Sequence, residues 1–479
     1  MNKCASARAG VGARGRNHRY VNLLPAKEIR PPLPPGPFLV VGLARSGQAA
    51  VRLLAARGET VRAVDSAHPE GAEGLEAVGV EVSLDTDGLA QLEVTKTVVK
   101  SPGVPREAAV IAAARERGIE VVGELELAWR ALPNRFLAVT GTNGKTTTVE
   151  WLGHVWREAG EPVAVAGNVG TPLSGLVGEV DPAATIVCEA SSFQLEDASL
   201  FAPECAVFLN LAPDHLDRHG DLAAYGQAKL RIFANQGNDD VAVYNADEPE
   251  LAGVDLGGCA RRISFGHGAG PDCEVAVVDG TIFYDSEPLI EVAELGLPGE
   301  HNLQNAMAVA AAALALGIDR EAVRAGLRSF AGVPHRLEPV AELDGVRFVN
   351  DSKATNVASA AVGISAFPSG VQAILGGSEK GEPFAPLVAP IVAHCAACYL
   401  IGETAERMAV ELEPVTVADV PLVHCADLED AVHRAFAAAA AGAPGGVVLL
   451  SPACASFDAF ADYEQRGERF RQIVAGLAR

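Results

Sequence analysis

Residues 140–148 read TGTNGKTTT. Two glycines, a lysine and a run of threonines at this spacing are the ingredients of a phosphate-binding loop. Gly141 and Gly144 allow the backbone to turn so that successive N–H groups, those of Thr142, Asn143 and Thr147 among them, converge on an anion. Lys145 adds a mobile point charge for the β- and γ-phosphates of a nucleotide, and Thr146 adds a hydroxyl for Mg2+. The elements needed to position such a loop flank it. Phe136, Leu137, Ala138 and Val139 read as a short buried strand, and residues 149–156 have helical periodicity. Strand, glycine loop and helix is the required context, and the helix N-terminus contributes its positive end. One departure stands out: the usual spacing places the first glycine at position 139, which is Val139.

More polar residues gather at the ends of the apolar runs that follow. Asn168 sits in a glycine loop at 166–170. Residues 184–189 form a buried strand ending in Glu189, the position of a second Mg2+ anchor in a phosphate-loop domain. Another strand, 206–210, leads into a loop holding Asp214, His215, Asp217 and His219. The next helix, expected over residues 222–233, places Lys229 inside an apolar stripe of Leu222, Tyr225, Ile232 and Phe233. A buried, unpaired ammonium is costly, so Lys229 snorkels, pairs with an acid, or is chemically changed; from periodicity alone, snorkelling is the expectation. Further on, an Ala-rich helix starts near residue 299, with Asn302 and Asn305 on one face. They either satisfy the backbone locally or reach a ligand.

On the N-terminal side, residues 38–65 read as strand, glycine turn, helix and strand, with Asp65 at the second strand's end. This is a βαβ start of the dinucleotide-binding kind, but Ala44 replaces the second glycine. NAD is therefore disfavoured, while Asp65 could hold a ribose or a base. A strand at 97–100 ends in a rigid turn containing Pro102, Gly103 and Pro105. On the C-terminal side, strands near 347–350, 371–375, 397–401 and 447–450 alternate with helices, implying a further parallel sheet. Its polar clusters (Asn350 to Asn356, Lys380, and Ser451 to Asp458) all follow strands and would share one mouth.

A length of 479 residues suits about three domains. The net charge of −23 argues against nucleic acid as a partner. No apolar run is long enough to span a bilayer, so a soluble cytoplasmic protein is expected. The nine cysteines are scattered and read as reduced, with Cys395 and Cys398 filling a core rather than binding metal. Residues 1–35 carry seven Lys and Arg against Glu28 alone and end in a proline-rich spacer. They read as a disordered tail whose first 30 residues can be removed without changing kinetics.

Taken together, segments 141–147 (GTNGKTT), 189–194 (EASSFQ), 214–218 (DHLDR), 299–305 (GEHNLQN), His335 with Arg336, 350–356 (NDSKATN) and 451–458 (SPACASFD) resemble the Mur ligases of peptidoglycan synthesis, from about Phe38 to the C-terminus. The last of these, with 463–470 (YEQRGERF), is similar to the D-glutamate-adding branch. The resemblance implies an α/β fold of three domains: a Rossmann-like UDP-binding domain at 36–123, a central P-loop ATPase domain with a parallel sheet at 124–331, and a Rossmann-like domain for the incoming amino acid at 332–479. It implies a monomer that joins D-glutamate to UDP-N-acetylmuramoyl-L-alanine with ATP and Mg2+, through an acyl phosphate. The uridine end would lie at Arg45, Ser46, Asp65, Ser66 and Gly103, with Asn168 and His215 further along the substrate. ATP would be held by residues 141–147, Asn305, Arg336, Asp351 and Lys353. D-glutamate would meet Thr355, Lys380, Ser456, Phe457 and Tyr463. The metal residues would be Thr146, Glu189, His215 and a carbamylated Lys229; the catalytic set would be Lys145, Glu189, His215 and Lys229. Ser66 and Tyr463 stand where the family pattern leads one to expect Thr and Phe. The rivals are a related ligase adding a different amino acid and a nucleotide-switch ATPase without ligase activity.

Overall fold

The computed structural model describes residues 23–27, 29–168, 170–251, 256–267, 273–379, 381–442 and 445–477. Lys380, residues 1–22 and Glu28 lie outside them. The chain divides into two compact units, Met1–Ala331 and Gly332–Arg479.

The first unit holds two sheets. In one, β1 (Phe38–Val41), β2 (Val61–Val64), β3 (Glu81–Ser83), β4 (Thr97–Lys100) and β5 (Glu120–Gly123) are all parallel, in the order β3-β2-β1-β4-β5. β1, β4 and most of β2 are buried along their length, and β1 (Phe38–Val41) accordingly reads as a continuous apolar run. The chain crosses from one side of β1 to the other before β4, so the crevice between the carboxyl ends of β1 and β4 is the switch point of this sheet. There the glycine turn is tight: a Cβ on Gly42 would lie 2.6 Å from Val104 Cγ2, and Gly42 has φ +87°.

The second sheet contains β6 (Arg135–Thr140), β7 (Val163–Gly167), β8 (Thr185–Glu189), β9 (Cys205–Phe208), β10 (Val241–Asn245), β11 (Arg261–Gly266), β12 (Val275–Val278), β13 (Thr281–Tyr284) and β14 (Glu287–Glu291). Its order is β14-β13-β12-β11-β10-β9-β6-β8-β7. β6 is thus flanked by β8 and β9, and residues leaving those strands must line the loop that follows β6. Through β12 the sheet is parallel; β12, β13 and β14 then form an antiparallel meander. The parallel expectation missed this edge, although Asp279 (φ +47°) and Gly280 (φ +79°) form the Asp-Gly turn that two-residue hairpins prefer. The helices of this unit are α1 (Arg45–Ala56), α2 (Ala109–Glu116), α3 (Glu124–Ala131), α4 (Lys145–Glu158), α5 (Ser192–Leu195), α6 (Leu216–His219), α7 (Leu222–Leu230), α8 (Glu300–Ala315) and α9 (Arg320–Ser329). α7 is shorter than its apolar stripe suggested. Ile232 and Phe233 are buried, but in the turns after the helix.

Of the expected tail at 1–35, the described residues 23–27 and 29–35 are bonded to the first unit. Leu24 N–H donates to Leu316 O, Lys27 Nζ pairs with Asp240 at 2.7 Å, and Arg30 Nη2 pairs with Glu204 at 2.9 Å. The Arg30 guanidinium also lies 4.7 Å from the Trp129 ring centre. Glu204 in turn accepts from the Phe136 N–H at the start of β6. Composition showed the basic residues but not their buried acidic partners. Breaking a buried pair strands the surviving charge, so Arg30→Ala is expected to destabilise the protein by about 3 kcal/mol, read from denaturant unfolding. Removing residues 1–30 should likewise cost stability, a separate readout from the unchanged kinetics expected of the same deletion.

The second unit holds one sheet: β15 (Glu338–Leu343), β16 (Val346–Asn350), β17 (Val371–Gly376), β18 (Cys395–Ile401), β19 (Leu422–His424) and β20 (Val447–Leu450), in the order β15-β16-β20-β17-β18-β19. Only β15 runs antiparallel. Cys398 is buried in its core and Cys395 packs against that core, in keeping with their expected packing role. No described cysteine is in a disulfide. Among the described residues, no helix is long and apolar enough to cross a membrane.

Candidate active site

The loop after β6 is built as its glycines suggested. Gly141 and Gly144 have φ +153° and +81°, and a Cβ on Gly144 would fall 2.4 Å from Asn305 Oδ1. Lys145 and Thr146 open α4. Lys145 Nζ donates to the carbonyls of Gly141 (2.9 Å) and Thr142 (2.8 Å), which holds its ammonium inside the loop. Asn210, just past β9, pins the loop from one side. Its Oδ1 accepts from the N–H groups of Thr142 (3.1 Å) and Asn143 (2.8 Å), and its Nδ2 donates to Asn143 O. Sequence reading missed this role, because it depends on β9 lying beside β6.

From the other side comes Glu189, at the end of β8 and 2 % exposed. Its Oε2 accepts from Thr146 Oγ1 at 2.7 Å and its Oε1 from Asn168 Nδ2 at 3.1 Å. A capping box between Ser191 and Gln194 fixes the chain immediately beyond it. Asn302 and Asn305 are buried: Asn302 donates to Pro298 O four residues back, whereas Asn305 Oδ1 accepts from Thr148 Oγ1 on α4 at 3.3 Å.

Lys229 does not snorkel. It is 1 % exposed, its Nζ donates to Gly141 O at 2.7 Å, and it lies 4.4 Å from the Tyr225 ring centre. Burial pushes its pKa down to about 6. The Lys145 ammonium adds to the depression, and Asp214 and Glu189 oppose it. His215 has φ +52° and is exposed. Its ring packs 4.9 Å from Phe193 and 6.3 Å from Tyr225, so the Tyr225 ring touches both His215 and Lys229.

A Mg2+ site can be tested against these donors. Among the described residues, no three His, Cys, Asp or Glu side chains are grouped to hold a metal. What is present is a carboxylate and a hydroxyl beside a phosphate loop. That set suits Mg2+, which takes few protein ligands and completes its shell with water and phosphate oxygens.

At the carboxyl end of β2, beside the turn after β1, Asp65 spends both oxygens on the backbone, accepting from Leu43 N–H (2.6 Å) and Ala67 N–H (2.9 Å). It therefore shapes the turn where Arg45, Ser66 and Gly103 are exposed and Ser46 is half-buried.

In the second unit, Asp351 follows β16, and Ser451 and Pro452 follow the neighbouring β20. Asp351 accepts from Leu337 N–H (3.1 Å) and Ser451 Oγ (2.7 Å), and burial pushes it up to about 6. Lys353 Nζ lies 5.9 Å from the Tyr463 ring centre. Thr355 N–H donates to Lys353 O, Ser456 is buried, and Phe457 is 72 % exposed. Arg466 joins these loops. Fully buried, it donates to Ser352 Oγ and O, to Cys454 O and to Ala455 O. Sequence reading gave it no role, yet it sits on the apolar face of the helix Tyr463–Leu477 beside Phe470 and Ile473, the same kind of signal that Lys229 gave.

A nucleotide-phosphate loop with a carboxylate beside it, and a further sheet with its own polar loops, is what an ATP-driven ligase needs, and the family comparisons agree. Residues 37–123 match the Mur ligase MurD-like N-terminal domain, 139–313 the Mur ligase middle domain, and 335–454 the Mur ligase glutamate ligase domain. The chain belongs to the Mur ligase family.

Within the family its similarity runs to one kind of member. It is 41 % identical to the UDP-N-acetylmuramoylalanine–D-glutamate ligase of Pelotomaculum thermopropionicum over 92 % of this chain and 97 % of the relative. It is 42 % identical to the enzyme of the same name from Geobacter metallireducens, with the same coverage. Among solved structures, UDP-N-acetylmuramate-alanine ligase from Thermotoga maritima shares the fold, with a TM-score of 0.52 at 18 % identity over 92 % of this chain and 99 % of that one.

Proposed function

We propose that the protein is a cytoplasmic ligase that adds D-glutamate to UDP-N-acetylmuramoyl-L-alanine at the expense of ATP. The observation that carries the reading is the pairing of Glu189 and Thr146 at the phosphate loop, in a chain 41 % and 42 % identical over 92 % of its length to two ligases of that name.

The chemistry follows from the reactants. A carboxylate is a poor electrophile, so its oxygen first displaces ADP from the γ-phosphorus of ATP, giving an acyl phosphate. The amine of D-glutamate then attacks the acyl carbon and phosphate leaves. Residues 141–147 cradle the ATP phosphates with backbone N–H groups, and Lys145 offsets their charge. Mg2+, when bound, lowers the charge repulsion between phosphate oxygens. Thr146 and Glu189 would hold a first Mg2+, and His215 with a carbamylated Lys229 would serve a second. As an ammonium, Lys229 would repel a divalent cation, which supports its acting as a carbamate. Asn305, Arg336, Asp351 and Lys353 serve ATP. The uridine end sits at Arg45, Ser46, Asp65, Ser66 and Gly103, with Asn168 and His215 further along. Thr355, Lys380, Ser456, Phe457 and Tyr463 receive D-glutamate. The enzyme acts as a monomer.

The test is phosphate release with Mg2+, ATP and UDP-N-acetylmuramoyl-L-alanine while amino acids are supplied one at a time. Release with D-glutamate alone, and a product heavier by one glutamyl residue, is the expected result. Turnover with a different amino acid would move the specificity within the family. Turnover that needs no amino acid would favour a nucleotide switch.

A further inference from the structure

Arg218 reaches from the phosphate-loop sheet's side to the turn at the β1/β4 switch point. Arg218, at the end of the 214–218 loop, donates from Nη2 to Val104 O (2.9 Å) and Pro102 O (3.2 Å), the carbonyls on either side of Gly103. The turn is also held from its own sheet, and Lys100 ties it to Asp197 beyond α5. Val104 N–H donates to Ser101 O, Ser101 Oγ donates to Gly42 O, and Lys100 Nζ donates to Val104 O while paired with the buried Asp197 at 2.8 Å.

Arg218 is itself seated. Its guanidinium lies 4.2 Å from the Phe193 ring centre, and the His219 ring stacks on Phe193 at 5.3 Å with an interplanar angle of 1°. His219 is fixed in turn by Glu196 (3.1 Å) and Ser192 (3.0 Å). Phe193 is four residues after Glu189, on the capped segment that the metal-anchoring carboxylate begins. A planar, always-charged group on an aromatic face is pre-organised, so its bonds to the two carbonyls cost little further ordering.

We infer that Arg218 is a positioning residue for the nucleotide end of the substrate: it fixes the Pro102–Gly103–Val104 turn against the Phe193 platform and so sets where a bound uridine diphosphate lies relative to the phosphate loop. This rests on the proposed placement of the uridine end at Gly103. No proton or bond is transferred by Arg218. Its loss should weaken binding of the nucleotide-sugar and leave the ATP and D-glutamate sites as they are.

The probe is UDP itself, which binds without reacting. Charge-assisted bonds to two carbonyls are lost in Arg218→Met, and UDP should bind about ten-fold more weakly. KM for the UDP-linked substrate should rise in step, with kcat at saturation and KM for ATP within about two-fold of wild type. Arg218→Lys keeps the charge and one bond and should recover part of the loss, which a merely space-filling role would not predict. Phe193→Leu keeps the guanidinium but removes its aromatic face; it should weaken UDP by a few-fold and provides a second reading if Arg218→Met folds poorly. UDP affinity unchanged in both the Arg218→Met and Phe193→Leu proteins would overturn the inference. Wild-type protein that binds no UDP would instead overturn the placement of the uridine end on which it rests.

Discussion

Lys229→Ala is expected to abolish most ligase activity, by at least about 10²-fold, while leaving the protein folded. The fold should survive because the side chain brings little stability. It buries an amine, and its one hydrogen bond, to Gly141 O, is worth about 1 kcal/mol net. Activity should not survive, because the environment prepares this amine for chemistry. With its pKa pushed down to about 6, Lys229 is mostly neutral at pH 7.5, and a neutral amine can add to CO2. The addition releases a proton and leaves a carbamate, whose negative charge stands where the amine was neutral, beside Glu189 and the phosphate loop. Three results check this. Protein kept under 13C-labelled bicarbonate should show a carbamate carbon resonance that is lost in Lys229→Ala. Small carboxylates such as acetate or formate should partly restore the variant. Wild-type activity should fall as pH drops through about 6, where the amine takes up a proton and can no longer react with CO2. A variant with near-normal turnover and no response to carboxylates would return Lys229 to the role of a buried latch on Gly141.

The route to Lys229 shows how much of the site could be read in advance. Local signals carried well. The glycines, Lys145 and Thr146 are contiguous, and Glu189 ends an apolar run, so their types and order were enough to place them. Lys229 was conspicuous because a charge interrupted an apolar stripe. However, periodicity reports only which face a residue occupies, not what lies opposite. The carbonyl of Gly141, 88 residues away in sequence, decides that the amine stays inside rather than snorkelling. Asn210 was silent for the same reason: its role follows from β9 pairing with β6, a long-range fact. Arg30 looked like part of a solvated basic tail until Glu204 and Trp129 were found around it. Asp65 was legible as a strand-end acid that could hold a ribose or a base, but its bonds from the Leu43 and Ala67 N–H groups were not. In each case the chemistry of the residue was readable and its partner was not.

Glu189→Gln separates function from structure most sharply, because the two should move in opposite directions. The substitution keeps the shape of a side chain that is 2 % exposed. Thr146 Oγ1 can donate to the amide oxygen or accept from the amide nitrogen, and Asn168 Nδ2 can still reach an oxygen if the amide is turned. Hydrogen bonding is therefore largely retained. What disappears is a buried negative charge, whose desolvation the fold must otherwise offset. The melting temperature should stay level or rise. If Glu189 anchors Mg2+ as proposed, catalysis loses that anchor beside Thr146, and the nucleotide phosphates lose the cation that it would hold. A fall in kcat/KM of about 10²- to 10³-fold is expected, with a raised Mg2+ requirement that higher Mg2+ partly overcomes. UDP binding, which depends on the β1/β4 crevice, should be unchanged. If Glu189→Gln instead lowered the melting temperature and kept its activity, the carboxylate would be a structural clasp for α4, and the metal would have to be held by other residues.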